Sequence, residues 1–226
     1  MATIIADFEL SEMQIANLFG FVKKKFVHWY DLQMEIVDHL ASSIKIEMQS
    51  NPQLTFESAL EKVYKAYGIF GFAKIVQERQ LQLEKTAKKR WCSELRSMFK
   101  WPRLMLVLLL ISTVGAISVS LNSEILDGLI LLIYLAISLA FFIYIMSDLR
   151  LQKRLLLMQS GASYFSFPFI YEFVVLPNVS QFTSLTLAIL LTIGILIKFT
   201  SFKLYRKVRS EAALLYPAVF LKTTMG

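Results

Sequence analysis

Hydrophobic positions in this chain follow two rhythms. Up to about residue 100 they recur at helical spacing between charged positions. After that they fuse into long runs with no charge. In the first part, Ile15, Leu18, Phe19, Val22 and Phe26 fall on one helical face. Ser11 is placed to cap that helix. Lys23, Lys24 and Lys25 close it with the charge that suits a helix C-terminus. A second helix is predicted from about Trp29 to about Gln49, with Leu32, Ile36, Leu40, Ile44 and Met48 as its apolar face and Asn51-Pro52 as its break. Thr55 caps a third, with Phe56, Ala59, Leu60, Val63 and Tyr67 as its stripe and Gly68 as its stop. A fourth starts near Phe70–Gly71, carries Phe72, Ile75, Val76 and Leu83, and becomes strongly charged over Glu84–Arg96. It is placed to run on as one long helix toward the membrane.

The second rhythm is set by lipid dimensions. A spanning helix needs about 20 mostly apolar residues. Residues 104–121 contain no charge, residues 127–147 are apolar after Asp127, and residues 183–202 are apolar except for Lys198. Residues 155–176 are weaker, with Gln159, Gly161, Pro168 and Glu172, but the topology closes only if they cross. Basic residues fall in alternate loops: Lys88–Arg103 before the first stretch, Arg150, Lys153 and Arg154 between the second and third, Lys203–Arg209 after the fourth. That alternation predicts cytoplasmic termini by the positive-inside rule. The opening residues, with Asp7 and Glu9 and no basic stretch, do not read as a secretory signal.

The expected fold is therefore all-α: an integral membrane four-helix bundle preceded by a small cytoplasmic helical domain. The expected segments are a module at residues 1–83, a basic juxtamembrane helix or linker at 84–103, four spans within 104–209, and a cytoplasmic tail at 210–226. Ser112, Ala116 and Ser120 on the first span, and Ala136 and Ala140 on the second, recur every four residues. Small residues at that spacing let helices approach closely in lipid, within one chain or between copies.

Composition agrees with this division. Of 226 residues, 56% are hydrophobic and only 18% charged, against about 25% charged in soluble domains. The net charge of +7 divides as +3 over residues 1–103 and +4 over residues 104–226. Cys92 is the only cysteine, which excludes a disulfide scaffold.

Candidate chemistry is sparse. On the second helix His28, Asp31, Glu35, Asp38 and His39 share a sector of about 100°. Asp31, Glu35, Asp38 and His39 form a partner-binding face, or a weak metal set of types that suit zinc. The plainer reading is a solvated polar face, and a pH-sensing histidine is a further one. Apart from Asp127 at the very start of the second span, Glu172 is the one acid within a predicted span, and intramembrane carboxylates are costly. It lies five residues before Pro177, so it touches headgroups, lines a polar path, or pairs with a partner subunit. Lys198, near an inner end, is expected to snorkel.

The belt Lys88, Lys89, Arg90, Trp91, Arg96, Lys100, Trp101 and Arg103, with Lys203, Arg206, Lys207 and Arg209, is expected to contact anionic headgroups of the cytoplasmic leaflet. Orientation explains this charge without nucleic acid. The aromatic run Tyr164–Tyr171, interrupted by Pro168, is expected to pack within the bundle or to form a lateral groove. No phosphate loop, dinucleotide fingerprint, HExxH, GxSxG or CxxC is present. The expectation is no enzyme, no cofactor and no resident metal.

The stretch Glu35-Ile36-Val37-Asp38-His39-Leu40, then Leu54–Ala59, then Ala66-Tyr67-Gly68, resembles the short helical modules at the N-termini of some bacterial membrane proteins. These are the HAAS-type signalling domains and the prefix segment before some ABC permeases. The likeness covers about 40 of 226 residues. It departs in the connector Met48–Leu54, which lacks a glycine, and in the ending Gly68-Ile69-Phe70-Gly71. The resemblance implies an adaptor or sensory role at the cytoplasmic face without catalysis. The expected function is a non-enzymatic regulatory or accessory subunit of a bacterial inner-membrane complex, with a protein partner or further copies of itself. The rival is a small oligomeric transporter or channel with Glu172 in its pathway.

Overall fold

The computed structural model describes residues 9–121, 124–160, 164 and 184–224. Every regular element among them is an α-helix. The chain divides into two compact units. One holds Met1–Gln82 with Lys153–Leu156, and the other holds Leu83–Gln152 with Leu157–Gly226.

The first unit begins with α1, Glu12–Lys24. Ser11 and Gln14 form a reciprocal cap: the Ser11 hydroxyl accepts from the Gln14 N–H, and the Gln14 side chain accepts from the Ser11 N–H. Leu18 and Val22 are fully buried, with Ile15 and Phe19 half-buried beside them. Phe26 departs from the predicted stripe. The helix has already ended, and Phe26 has φ 65° with 79% of its surface exposed. The Phe26 N–H donates to the Lys23 carbonyl at 3.1 Å and the Val27 N–H to the Val22 carbonyl at 3.4 Å. This double bond pattern closes helices around a left-handed residue, a position that glycine usually fills. Val22 and Val27, the apolar pair that accompanies such a stop, are both fully buried.

Helix α2, Tyr30–Ser50, has no side-chain cap at Trp29. Gln33 supplies the missing polar link, donating to the Val27 carbonyl at 2.6 Å inside the α1–α2 turn. Leu32, Ile36, Leu40 and Ile44 form the buried face as the periodicity predicts, joined by Val37, and Met48 is half-buried. Thr55 caps α3, Phe56–Lys65, by accepting from the Ser58 N–H at 3.3 Å. Phe56, Ala59 and Val63 are buried. Gly68 follows in the left-handed region at φ 72°. The next helix, α4, begins at Ala73 rather than at Phe70 and runs to Met98. The delay has a local cause. Gly71 sits at φ 50°, and a Cβ there would lie 2.5 Å from the Tyr64 hydroxyl. The turn thus drops Phe72 into an aromatic cluster with Phe21, Tyr64 and Tyr67.

In the second unit α4 stops at Met98, and α5 spans Arg103–Leu121. Pro102 lacks an N–H and restricts Trp101 before it, so the two are separate helices bent by 69°. Next come α6, Glu124–Ser147; α7, Leu149–Arg154; α8, Leu156–Ser160; α9, Ser184–Leu215; and α10, Pro217–Thr224. The expected tail from residue 210 begins as the continuation of α9. Proline opens α10, where its missing N–H costs nothing.

Helix α9 packs against both α5 and α6. Tyr134 of α6 is buried with Leu187 and Leu191 of α9. Gly194 makes room for the Tyr134 ring, since a Cβ there would collide with its hydroxyl and ring edge. The small residues do not mark this packing. Ser112, Ala116, Ser120, Ala136 and Ala140 are all exposed, while the covered side of α5 is Leu104, Val107, Ile111 and Gly115. Ser112 and Thr113 return their hydroxyls to carbonyls of their own helix, which suits an apolar surrounding. Among the described residues one helical segment, Gly128–Ser147, is by itself long and apolar enough to cross a membrane. Ala73–Met98 and Arg103–Ile117 pass that test only as a bent pair.

Two glycine substitutions separate conformation from packing. Gly20 lies in α1 with open space around it, so Gly20→Ala stabilises by about 0.4–1 kcal/mol. Gly71→Ala forces a Cβ into Tyr64 at positive φ and destabilises by more than about 1 kcal/mol. Thermal unfolding of the full chain in detergent, followed by circular dichroism, checks both signs.

Candidate functional site

The four residues of the predicted polar face have separate fates. Asp31 is not on a solvated face. It is 9% exposed, and its carboxylate accepts from the Leu156 N–H at 2.9 Å. The periodicity placed it with the polar residues, but its partner is 125 positions away in the chain. Leu155 and Leu156 are buried beside this bond. Glu35 pairs with Arg79 of α4 at 3.4 Å, both half-exposed. Asp38 and His39 are exposed. The structure therefore does not bring Asp31, Glu35 and His39 together. Among the described residues no group of three His, Cys, Asp or Glu side chains is placed to hold a metal ion. The face that remains for a partner is narrow and polar.

A different surface of the same unit is apolar. Lys25, Phe26, Trp29, Ile69, Phe70 and Val76 line a groove of about 440 Å³, floored in part by Tyr64 and Phe72. Phe26 and Phe70 are each 79% exposed, and Ile69 is fully exposed. The Lys25 ammonium rests 4.5 Å from the centroid of the Tyr64 ring, a cation–π contact that holds the charge on the groove wall. Gln77 and Gln80 add amide groups on the α4 side, and no acid lines the groove among the described residues. Nothing in the pattern of residues 12–26 distinguishes Phe26 from a core position. The signal that could have found the groove was Ile69-Phe70 between two glycines, an apolar pair in a turn.

In the second unit the expected lipid-facing belt is divided. Arg90 pairs with Glu211 at 2.7 Å, Lys203 with Glu94 at 2.5 Å, and the Trp91 indole N–H donates to Ser201 at 3.1 Å. Arg103 donates to the Ser97 hydroxyl. Lys88, Lys89, Arg96, Lys100, Trp101, Arg206 and Lys207 are exposed. Lys198 does not snorkel. It is 4% exposed, with its ammonium 3.5 Å from the centroid of the Tyr134 ring. Glu172, Pro168 and the aromatic run after Tyr164 lie outside the described residues.

One polar cluster was not foreseen. Asp148, 8% exposed just after α6, accepts from the Tyr205 hydroxyl at 2.5 Å and from Arg209 Nε at 2.6 Å. Tyr205 is fully buried and meets Tyr144 edge to face. Gln152 donates to the Ile145 carbonyl, and Arg209 lies over Phe220 of α10. Burial and the neighbouring carboxylate push the Tyr205 phenol far above its usual range. The hydrogen bond to Asp148 raises Arg209 as well. Two donors on one carboxylate make a clasp that joins the end of α6 to α9.

No protein-family model matches the chain, and neither a curated protein nor a solved structure matches it.

Asp31→Ala destabilises the first unit by about 1–3 kcal/mol, the cost of orphaning a buried polar partner. Asp38→Ala stays within about 0.5 kcal/mol. Urea titration of both variants, read by limited proteolysis, measures the difference. For Tyr205 the sign follows from a raised folded-state pKa. Its stabilisation is complete below about pH 10, the ordinary phenol value, and is lost as pH rises above it. Only the unfolded phenol ionises there. Wild type therefore loses thermal stability above about pH 10 more steeply than Tyr205→Phe, as melting curves across that range would show.

Proposed function

We propose that this chain is a non-enzymatic regulatory or accessory subunit of a bacterial inner-membrane complex, with its N-terminal module as a docking element for a protein partner. The observation that carries this reading is the exposed apolar groove of the module, bordered by Phe26, Ile69 and Phe70. A small helical unit that holds a bulky residue at positive φ on its surface is built for contact and is costly as a mere solvated face.

The membrane part of the proposal rests on the second unit. Only 22% of the apolar window within Gly128–Ser147 is buried, whereas the core helix of a soluble protein is mostly buried. Leu106, Leu109, Leu132, Ile133, Leu139 and Ile143 are more than half exposed. In water such a surface is an aggregation site, and in lipid it is the expected one. We assign spans to residues 104–121, 127–147, 155–176 and 183–202, with both termini cytoplasmic. The exposed basic residues Lys88, Lys89, Lys100 and Lys207 then meet anionic headgroups.

Two experiments test this. Cysteine mapping in a Cys92→Ser background places the loops. Asn122→Cys and Asn178→Cys react with an impermeant maleimide on intact cells, while Ser50→Cys, Arg150→Cys and Ser210→Cys react only after permeabilisation. Labelling of Ser210→Cys on intact cells would overturn the orientation. Purification at native expression in mild detergent then gives a native mass. A stoichiometric second protein supports the accessory role, and a homo-oligomer without one overturns it.

A further inference from the structure

We infer that the groove between the end of α1 and the start of α4 binds a segment of the partner protein, one that presents large apolar side chains flanked by Asp or Glu. This rests on the proposed accessory role and adds to it the place and the chemistry of docking.

The shape comes first. At about 440 Å³ the groove falls in the range of pockets that enclose side chains or small ligands, about 300–1,000 Å³. Its lining joins the exposed Phe26, Ile69 and Phe70 to the buried Phe72. A flat bilayer surface would touch the exposed side chains and leave the more buried lining at Trp29, Tyr64, Phe72 and Val76 unfilled. A peptide segment fills both.

The charge comes second. Among the described residues the groove is lined by one cation, Lys25, and by no acid, and Lys23 and Lys24 precede Lys25 at the same helix end. Three adjacent lysines fall short of the clusters of about 4–8 basic residues that retain a protein on anionic lipid. One or two carboxylates beside an apolar anchor match them. The Lys25 ammonium is already held on the Tyr64 ring, so a carboxylate would find it oriented. The Gln77 and Gln80 amides offer both donors and acceptors to a peptide backbone, groups that an acyl chain cannot use.

The backbone comes third. Phe26 occupies a left-handed helix stop, where glycine would relieve the strain and where the ring makes little contact, being 79% exposed. Stability alone therefore selects against phenylalanine at this position, and a ring on the rim of a binding groove accounts for it.

The test is photocrosslinking in cells that make the full chain at native level. Para-benzoylphenylalanine replaces Phe70 in one strain and Ile69 in another, and the crosslinked peptide is sequenced. The expected adduct is a peptide of a different protein with Asp or Glu within four residues of the crosslinked apolar residue. Replacing Lys24 and Lys25 with Glu lowers its yield at least about tenfold, because like charges then face each other across the interface. Phe26→Gly raises the melting temperature by about 2–4 °C and still lowers the crosslink. Loss of the crosslink with a falling melting temperature would make Phe26 a structural residue and overturn its role here.

Adducts confined to lipid, to a second copy of this chain or to its own first eight residues would each overturn the inference. If a second protein copurifies but no adduct forms, the groove is the wrong site while the accessory role stands. If no protein copurifies and no adduct forms, both fall.

Discussion

The left-handed turn at Phe26 sets the form of the N-terminal unit. Helix α1 must stop within one residue for α2 to return along it, and the chain has no glycine there. The stop is made by two backbone bonds into the last turn of α1 and by the burial of Val22 against Val27. Gln33 then ties the Val27 carbonyl into α2. A left-handed non-glycine residue costs roughly 1–2 kcal/mol. Burial of two valines contributes about 1.5–3 kcal/mol each, so the turn holds. The strain is local, and its consequence is a phenyl ring at the surface. Tyr64, Phe72 and the short turn through Gly68 and Gly71 complete the concavity beside it.

Much of this unit was legible because its signals are local. Ser11, Thr55 and Gly68 act within four residues of their own helix ends, and the positions 32, 36, 40 and 44 repeat at the helical period. What was hidden depended on distant partners. Phe26 continues the i, i+4 pattern from Val22, and only the fate of the backbone after Lys25 removes it from the core. Asp31 falls on the polar side of a helical wheel, yet it is buried by a stretch of chain 125 residues on. A wheel shows which residues share a face and does not show what covers it. Lys198 illustrates the same limit. Distance from a helix end suggested an outward path, whereas a glycine at 194 lets Tyr134 lie where its ring receives the ammonium.

The second unit separates its charges from its apolar surface. Hydroxyls on the apolar helices bond back to their own carbonyls: Ser112, Thr113, Ser138 and Thr200 all do so. The ion pairs Arg90–Glu211, Lys203–Glu94 and Arg209–Asp148 lie on charged stretches flanking the apolar runs. The more exposed pairs, Arg90–Glu211 and Lys203–Glu94, contribute about 0–1 kcal/mol each, so they matter less than the buried Asp148 with its Tyr205 and Arg209 donors. The clasp was not legible because Asp148, Tyr205 and Arg209 are ordinary residues in two separate segments. Only the fold gives one carboxylate two donors.

The two units expose apolar side chains in different ways, and the difference decides what covers them. In the second unit they run for several turns without a charge, as at Leu106, Leu108, Leu109 and Leu110 or Ile137, Leu139, Phe142 and Ile143. A medium with no hydrogen-bonding capacity suits that surface, since the helices have already satisfied their own backbone. In the first unit the exposed apolar side chains are scattered, as at Met13, Ile46 and Leu81, except where Phe26, Ile69 and Phe70 gather around a groove interrupted by a lysine and two glutamines. Burying that surface in hydrocarbon would strand the amides and the ammonium at about 1–3 kcal/mol or more apiece. A partner that brings its own carboxylates and backbone groups avoids that cost. Charged and amide groups within an apolar surface thus argue for protein over lipid at the groove, while residues 104–121 and 128–147 carry no charge and return the hydroxyls of Ser112, Thr113 and Ser138 to their own helices, which argues for lipid there.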